Sequence, residues 1–87
     1  MTAKSTELPT PRFTPAQGQY LAFIYYYTKI HRCPPAEWDM AVYFRAEPST
    51  VHNMVKALHA RGLIERTPGE ARTIRVLVDR ADLPDLA

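Results

Sequence analysis

Residues 41–66, AVYFRAEPSTVHNMVKALHARGLIER, decide the fold of this chain. Their apolar pattern predicts a short helix, a turn over 45–47 and a second helix that begins at Pro48, where a missing N–H costs nothing. Gly62 predicts the end of that helix, because glycine readily adopts the left-handed conformation found after many helices. Helix, turn, helix and strand in this order are typical of a winged helix-turn-helix.

Signals on either side of this stretch extend the prediction. Thr14 and Pro15 suit the N-cap and first position of an earlier helix, and Pro34 and Pro35 prevent its continuation. The second helix is expected to bury Met40 and some of Trp38, Ala41 and Phe44. The predicted elements are helices over 15–31, 36–44 and 48–61 and strands over 63–67 and 73–78. The fold class is therefore α+β and mainly helical: three helices followed by a two-stranded β-hairpin wing.

The length of 87 residues allows one small domain. Residues 1–12 contain two prolines and no periodicity, which indicates a flexible N-terminal arm. The winged helix-turn-helix is expected over 13–78, and the short acidic tail over 79–87 is expected to be frayed.

The cysteine count and the hydropathy of the sequence indicate the cellular compartment of the protein. The single cysteine, Cys33, excludes an internal disulfide and fits a reducing environment. No stretch approaches the roughly 18 apolar residues of a membrane span, and no signal peptide is evident. We therefore expect a cytoplasmic protein without a membrane partner.

Positive charge is concentrated in the second half of the domain. The net charge is only +2, but residues 45–75 hold six basic and three acidic side chains. Residues 76–87 hold one basic and three acidic side chains. The distribution favours contact with phosphates by the second half of the domain, although the surplus is modest.

Motifs along most of the domain resemble one known family, the DNA-binding domain of LexA repressors. They are Thr14-Pro15, Gln17, Leu21, Phe23-Ile24, Pro34-Pro35, Ser49-Thr50-Val51-His52, Lys56-Ala57-Leu58, Gly62-Leu63-Ile64, Pro68-Gly69 and Ile74-Arg75-Val76. The resemblance covers about residues 13–78. It implies a winged helix-turn-helix that binds operator DNA as part of a repressor.

Two features depart from the family pattern. Arg45 stands in the turn where helix-turn-helix proteins often carry glycine. The family's self-cleaving Ser/Lys protease domain has no counterpart in these residues, so we do not expect the autocleavage that the resemblance would otherwise imply.

The third helix carries the residues expected to contact DNA. Its inward stripe is predicted to consist of Val51, Val55 and Leu58, which leaves the polar residues on exposed faces. These polar residues are Ser49, Thr50, His52, Asn53 and Lys56.

Each polar residue has a distinct expected role. The Asn53 amide can pair with adenine N6 and N7, and the His52 ring can donate to guanine N7 or O6. Ser49 and Thr50 lie in the first helical turn, where hydroxyls and free N–H groups suit phosphate oxygens. Lys56, one turn further on, would reach the DNA backbone.

The wing offers a second set of basic residues. Arg66, Arg72 and Arg75 could follow a phosphate backbone or enter the minor groove, but plain solvation explains them equally well. Glu65 and Glu70 on the same hairpin would oppose such contact.

The first helix is unusually rich in aromatic residues. Phe23, Tyr26, Tyr27 and Ile30 could form a homodimer interface, because an apolar patch seldom stays exposed. A tyrosine-rich core with hydroxyls reaching water is the alternative.

Neither a metal site nor a catalytic site is expected. Cys33, His31 and His59 have no recognised ligand spacing, and no glycine-rich phosphate loop is present. Glu37 and Asp39 lie two residues apart on a helix and face different ways, which does not suit a carboxylate pair. We expect no cofactor, no small-molecule ligand and no enzymatic activity.

Two functions of different class follow. The first is sequence-specific binding of double-stranded DNA by a small transcriptional repressor that inserts the third helix into the major groove. The alternative is a winged-helix protein-interaction module, such as an antirepressor or adaptor, that does not bind DNA itself.

Overall fold

A computed structural model describes residues 13–87, so the arm predicted over 1–12 lies outside the described part of the chain. The elements are α1 (Pro15–His31), α2 (Glu37–Phe44), α3 (Pro48–Ala60), β1 (Ile64–Glu65), β2 (Arg75–Val76) and a 3-10 helix (Arg80–Asp82). Three helices followed by an antiparallel hairpin confirm the predicted winged helix-turn-helix. Within residues 13–87 no helix combines the length and the apolar character needed to cross a membrane.

A reciprocal cap begins α1 where the sequence predicts it. The Gln17 N–H donates to the Thr14 hydroxyl at 3.1 Å, and the Thr14 N–H donates to Gln17 Oε1 at 2.9 Å. Two backbone donors that the helix leaves free are thereby satisfied. Arg32 adopts a left-handed conformation at the other end and its N–H bonds to the Thr28 carbonyl at 2.8 Å.

The turn between α2 and α3 is tight although it lacks glycine. Arg45 adopts φ 53°, and the Ala46 N–H donates to the Ala41 carbonyl at 3.0 Å. A left-handed residue with a side chain is uncommon, so Arg45 holds a conformation that glycine would adopt at lower cost. After α3, Gly62 has φ +74°, as the sequence predicts.

One hydrophobic core joins the helices to the hairpin. Its fully buried side chains come from every major element: Leu21 and Ile24 of α1, Met40 of α2, Val51, Val55 and Leu58 of α3, and Leu63 and Ile64 of the hairpin. Burial of each such side chain contributes about 1.5–3 kcal/mol relative to exposure.

The hairpin strands are shorter than predicted. Ile64 pairs with Val76 and Glu65 pairs with Arg75, which leaves two residues in each strand. The Thr67 N–H donates to the Thr73 hydroxyl at 2.9 Å rather than to a strand carbonyl. This side-chain bond replaces the next rung of the ladder, so the alternating pattern of the sequence extends beyond the regular strands.

Helix α2 exposes its tryptophan, contrary to the prediction. Trp38 is 69% exposed and Val42, one turn later, is 58% exposed. Met40 and Ala41 are buried, as expected. The short α2 therefore has room to bury only one narrow stripe.

The acidic tail packs against α1 and is not frayed as expected. Leu83 and Leu86 lie against the core. The Gln19 amide donates to the Asp85 carbonyl at 2.8 Å and accepts from the Ala87 N–H at 2.7 Å. These two bonds satisfy the Asp85 carbonyl and the Ala87 N–H. The hydropathy pattern of so short a segment does not predict them.

Replacing Gly18 with valine should destabilise the docked tail. A Cβ at Gly18 would lie 3.0 Å from Phe13 Cε1 and 3.1 Å from Pro84 Cγ, so a branched side chain must displace one of them. We expect Gly18→Val to lower the free energy of unfolding by about 1–3 kcal/mol in urea denaturation. Ala16→Val, at an exposed position of the same helix, should change the free energy of unfolding by only a small fraction of that amount. Equal stability of both variants would contradict the packing of the tail on α1.

Candidate nucleic-acid interface

The exposed face of α3 is produced by the burial of its opposite face. Val51, Val55 and Leu58 are each 0% exposed, so the rotation of the helix about its axis is fixed. All the polar residues predicted to contact DNA consequently lie at the surface: Ser49, Thr50, His52, Asn53 and Lys56. The structure brings these five side chains together on one helix.

The first turn of α3 has backbone N–H groups that point away from the helix. Glu47 is the N-cap, and its side chain makes no capping hydrogen bond to the described residues. Pro48, Ser49 and Thr50 follow. The positive end of the helix dipole and the two hydroxyls therefore lie at one end of the exposed face, which suits an anionic group.

His52 is held by a carboxylate that sequence reasoning did not connect with it. The Nδ1 atom of His52 lies 3.2 Å from Oε1 and 3.3 Å from Oε2 of Glu37, in the first turn of α2. The two residues are 15 positions apart, and only the packing of α2 against α3 brings them into contact. The side chain of His52 is still 52% exposed.

Arg72 anchors the hairpin to the helices. Its Nη1 donates to the Tyr27 hydroxyl and the Pro34 carbonyl, each at 3.2 Å. The same atom forms an ion pair with the Asp39 carboxylate at 3.2 Å. The Tyr27 hydrogen bond foremost, together with the charge of Asp39, raises the pKa of Arg72 above its ordinary value. Arg72 therefore has three partners within the protein, and its contact with DNA stays a prediction.

The other two wing arginines differ from Arg72. Arg75 forms an ion pair with Glu65 across the hairpin, and both side chains are exposed. Arg66 is half-buried, and its Nε finds no hydrogen-bond acceptor among residues 13–87. Exposed ion pairs contribute about 0–1 kcal/mol, so Arg75 can exchange its partner at small cost.

A cleft of about 280 Å³ separates α2 and α3 from the hairpin. It is lined by residues of opposite charge, namely Glu37, His52, Arg66, Glu70 and Arg72, together with Pro35, Gly69, Ala71 and Ile74. The mixed charge limits the positive potential of this face. Among residues 13–87 no group of three or more metal-ligating side chains is present.

The predicted dimer interface needs one correction. Phe23 is only 8% exposed and lies in the core, with its ring 4.7 Å from Tyr43 and 5.6 Å from Phe44. It cannot form part of an intermolecular surface without rearrangement of that core. Ile30 is 71% exposed, whereas Tyr26 and Tyr27 are half-buried. Self-association through these three residues stays a prediction.

Asp39 was another residue that sequence reasoning set aside. Its Oδ2 atom accepts from the Ala36 N–H at 2.8 Å, which caps α2, and lies 3.2 Å from Nη1 of Arg72 in an ion pair. Glu37 and Asp39 do face different ways, as expected, but each meets a basic partner from another element. An acidic first turn is a known helix signal, yet it does not identify such distant partners.

The chain is similar to repressor sequences over most of its length. The model of the LexA DNA binding domain family matches residues 10–73. A LexA repressor of Pseudomonas aeruginosa is 36% identical over 67 residues, which cover 75% of this chain and 32% of that protein. A LexA repressor of Cupriavidus taiwanensis is 36% identical over 75 residues, which cover 83% of this chain and 35% of that protein. The chain thus spans about a third of the length of these relatives.

Removal of the Arg72 side chain should loosen the hairpin. Arg72→Ala deletes the hydrogen bonds to Tyr27 and Pro34 and the ion pair with Asp39, so we expect faster amide hydrogen exchange at the Thr67 and Leu77 N–H groups.

Two variants control this measurement. Arg72→Lys keeps the charge but not the planar fork, and it should give an intermediate rate. Arg75→Ala removes an exposed arginine of the same hairpin and should have little effect. Unchanged exchange in Arg72→Ala would show that the hairpin is held by its apolar contacts alone.

Proposed function

Because the chain belongs to the LexA DNA-binding domain family, we propose that it binds specific sequences of double-stranded DNA and acts as a transcriptional repressor by occupying a promoter. The observation that carries the proposal is the polar, exposed face of α3 opposite a fully buried stripe. A helix anchored in this way presents its side chains to the major groove as one rigid unit.

The residues of α3 divide the work between bases and phosphates. Asn53 contacts a base edge through its amide, with adenine as the preferred partner, and His52 contacts a neighbouring base. Ser49 and Thr50, at the positive end of the helix, bind phosphate oxygens. Lys56 contributes a phosphate contact that is independent of sequence.

The wing contributes less than its three arginines suggest. Arg75 exchanges the exposed Glu65 carboxylate for a DNA phosphate. Arg72 acts indirectly, by holding the hairpin beside α3 through Asp39. Arg66, half-buried directly after β1, supplies long-range positive potential.

A protein-interaction module is the second candidate. Trp38 and Val42 form an exposed apolar pair one turn apart on α2, and such pairs occur at protein interfaces. Glu37 and Glu70, which line the cleft beside α3, also weaken attraction to DNA. Salt dependence of binding separates the two candidates, because phosphate contacts release counterions.

We expect the purified protein to bind a duplex from its own upstream region more tightly than a scrambled duplex. In fluorescence anisotropy the logarithm of the binding constant should fall linearly with the logarithm of salt concentration, with a slope of about −0.9 per phosphate contact. No binding to either duplex at low salt would exclude the DNA proposal and leave the protein-interaction module.

Substitutions on α3 should separate specificity from affinity. His52→Ala and Asn53→Ala should each remove about 1–3 kcal/mol of discrimination between the two duplexes, because each removes a base contact. Lys56→Ala should weaken binding to both duplexes alike and reduce the salt slope by about 1.

Arg80→Ala is the matched control for the loss of one positive charge. Arg80 begins the 3-10 helix, outside α3 and the two strands, and it is exposed. Arg80→Ala should leave the preference between the two duplexes and the salt slope nearly unchanged. If both His52→Ala and Asn53→Ala still discriminate fully between the two duplexes, the assignment of base contacts to these residues is refuted, even though DNA binding itself is observed.

A further inference from the structure

We propose that Glu37 is a specificity-determining residue that acts through His52 and makes the choice of base depend on pH; this inference rests on the proposed DNA-binding function. Glu37 does not need to touch DNA for this role. It is a positioning residue, since its carboxylate lies 3.2 Å and 3.3 Å from His52 Nδ1 through its two oxygens.

The contact fixes which ring nitrogen carries hydrogen. An ionised carboxylate can only accept hydrogen bonds, so the Nδ1 atom of His52 must be the donor. A neutral imidazole has one N–H, and with that hydrogen on Nδ1 the Nε2 atom is an acceptor. In the imidazolium both nitrogens donate.

The exposed edge of the ring therefore presents two different chemistries. Neutral His52 accepts at Nε2 from an exocyclic amino group, namely adenine N6 or cytosine N4. Protonated His52 donates from Nε2 to guanine N7 or O6. Donation to guanine, the simplest expectation for histidine, thus requires the imidazolium as long as Glu37 holds Nδ1.

The charged surroundings of the ring come from three elements. Glu37 belongs to α2 and contacts the ring directly. The hairpin places Arg66, Glu70 and Arg72 in the same cleft. Lys56 is exposed one turn further along α3.

These neighbours differ from Glu37 in what they contact. The Arg72 guanidinium is held by Asp39 at 3.2 Å. Glu70 lines the cleft on the hairpin side, whereas Glu37 supplies both carboxylate oxygens that face His52 Nδ1. The side chain of His52 is 52% exposed and that of Glu37 is 36% exposed, so the pair is open to solvent protons and to a base.

The proposal is tested by selection of bound duplexes from a pool with about 20 randomised central base pairs, at about pH 6 and about pH 8. We expect one position of the selected site to change from guanine at the lower pH to adenine or cytosine at the higher pH. The ratio of guanine to the amino-bearing base should change about tenfold, within the range of a single base contact.

Glu37→Gln should weaken this change of base. A glutamine amide can also donate, which permits the neutral tautomer with hydrogen on Nε2 and therefore allows guanine contact at about pH 8. Glu70→Gln removes the same charge from the same cleft and should retain the change. A loss of the change in both variants would assign it to the general field of the cleft and overturn the role of Glu37.

Two histidine variants test whether His52 is the residue that changes the selected base. His52→Ala should abolish the change of base, whereas His59→Ala, at an exposed position two turns along α3, should retain it. A change that survives in His52→Ala would overturn the proposal.

A measurement on the free protein gives an independent answer. Nitrogen-15 NMR of the imidazole should show hydrogen on Nδ1 of neutral His52 in the wild type and a larger share of the Nε2–H tautomer in Glu37→Gln. Predominance of the Nε2–H tautomer in the wild type would overturn the proposal.

In the selection, enrichment of one site with the same bases at both pH values would overturn the proposal while the DNA-binding function stands. No enrichment at either pH would refute the proposed function and this inference with it.

Discussion

The burial of one face of α3 is the constraint on which the rest of the molecule depends. Val51, Val55 and Leu58 are completely removed from solvent, and together they supply about 4.5–9 kcal/mol of burial free energy. A rotation of α3 by a quarter turn would expose this stripe and bury polar residues without partners. The orientation of Asn53 and Lys56 is therefore fixed by side chains that lie on the opposite face of the same helix.

Two acidic residues in the first turn of α2 connect this helix to α3 and to the hairpin. Glu37 faces α3 through His52, and Asp39 faces the hairpin through Arg72 while it also caps its own helix. One helical turn thus supports the position of both surfaces that we propose contact DNA. Because Asp39 is a carboxylate, its contact offsets the charge of Arg72, which would otherwise attract any phosphate. The arrangement favours discrimination between sequences over non-specific affinity.

The hairpin shows why a count of charges misjudges such a surface. Residues 45–75 hold a surplus of three positive charges, and the three wing arginines account for half of the basic residues there. In the structure Arg72 and Arg75 each contact a carboxylate, at Asp39 and Glu65. The positive charge available to a ligand is accordingly smaller than the sequence suggests.

The sequence alone determined the order of elements, the α3 stripe and the helix ends at Thr14 and Gly62, because these depend on local periodicity and backbone conformation. Family resemblance added the expected activity. Only the tertiary structure decided the partners of His52 and Arg72, the burial of Phe23 and the docking of the tail through Gln19. Each of these contacts joins residues at least 15 positions apart, and it depends on how separate elements pack. No periodicity within a single element carries that information.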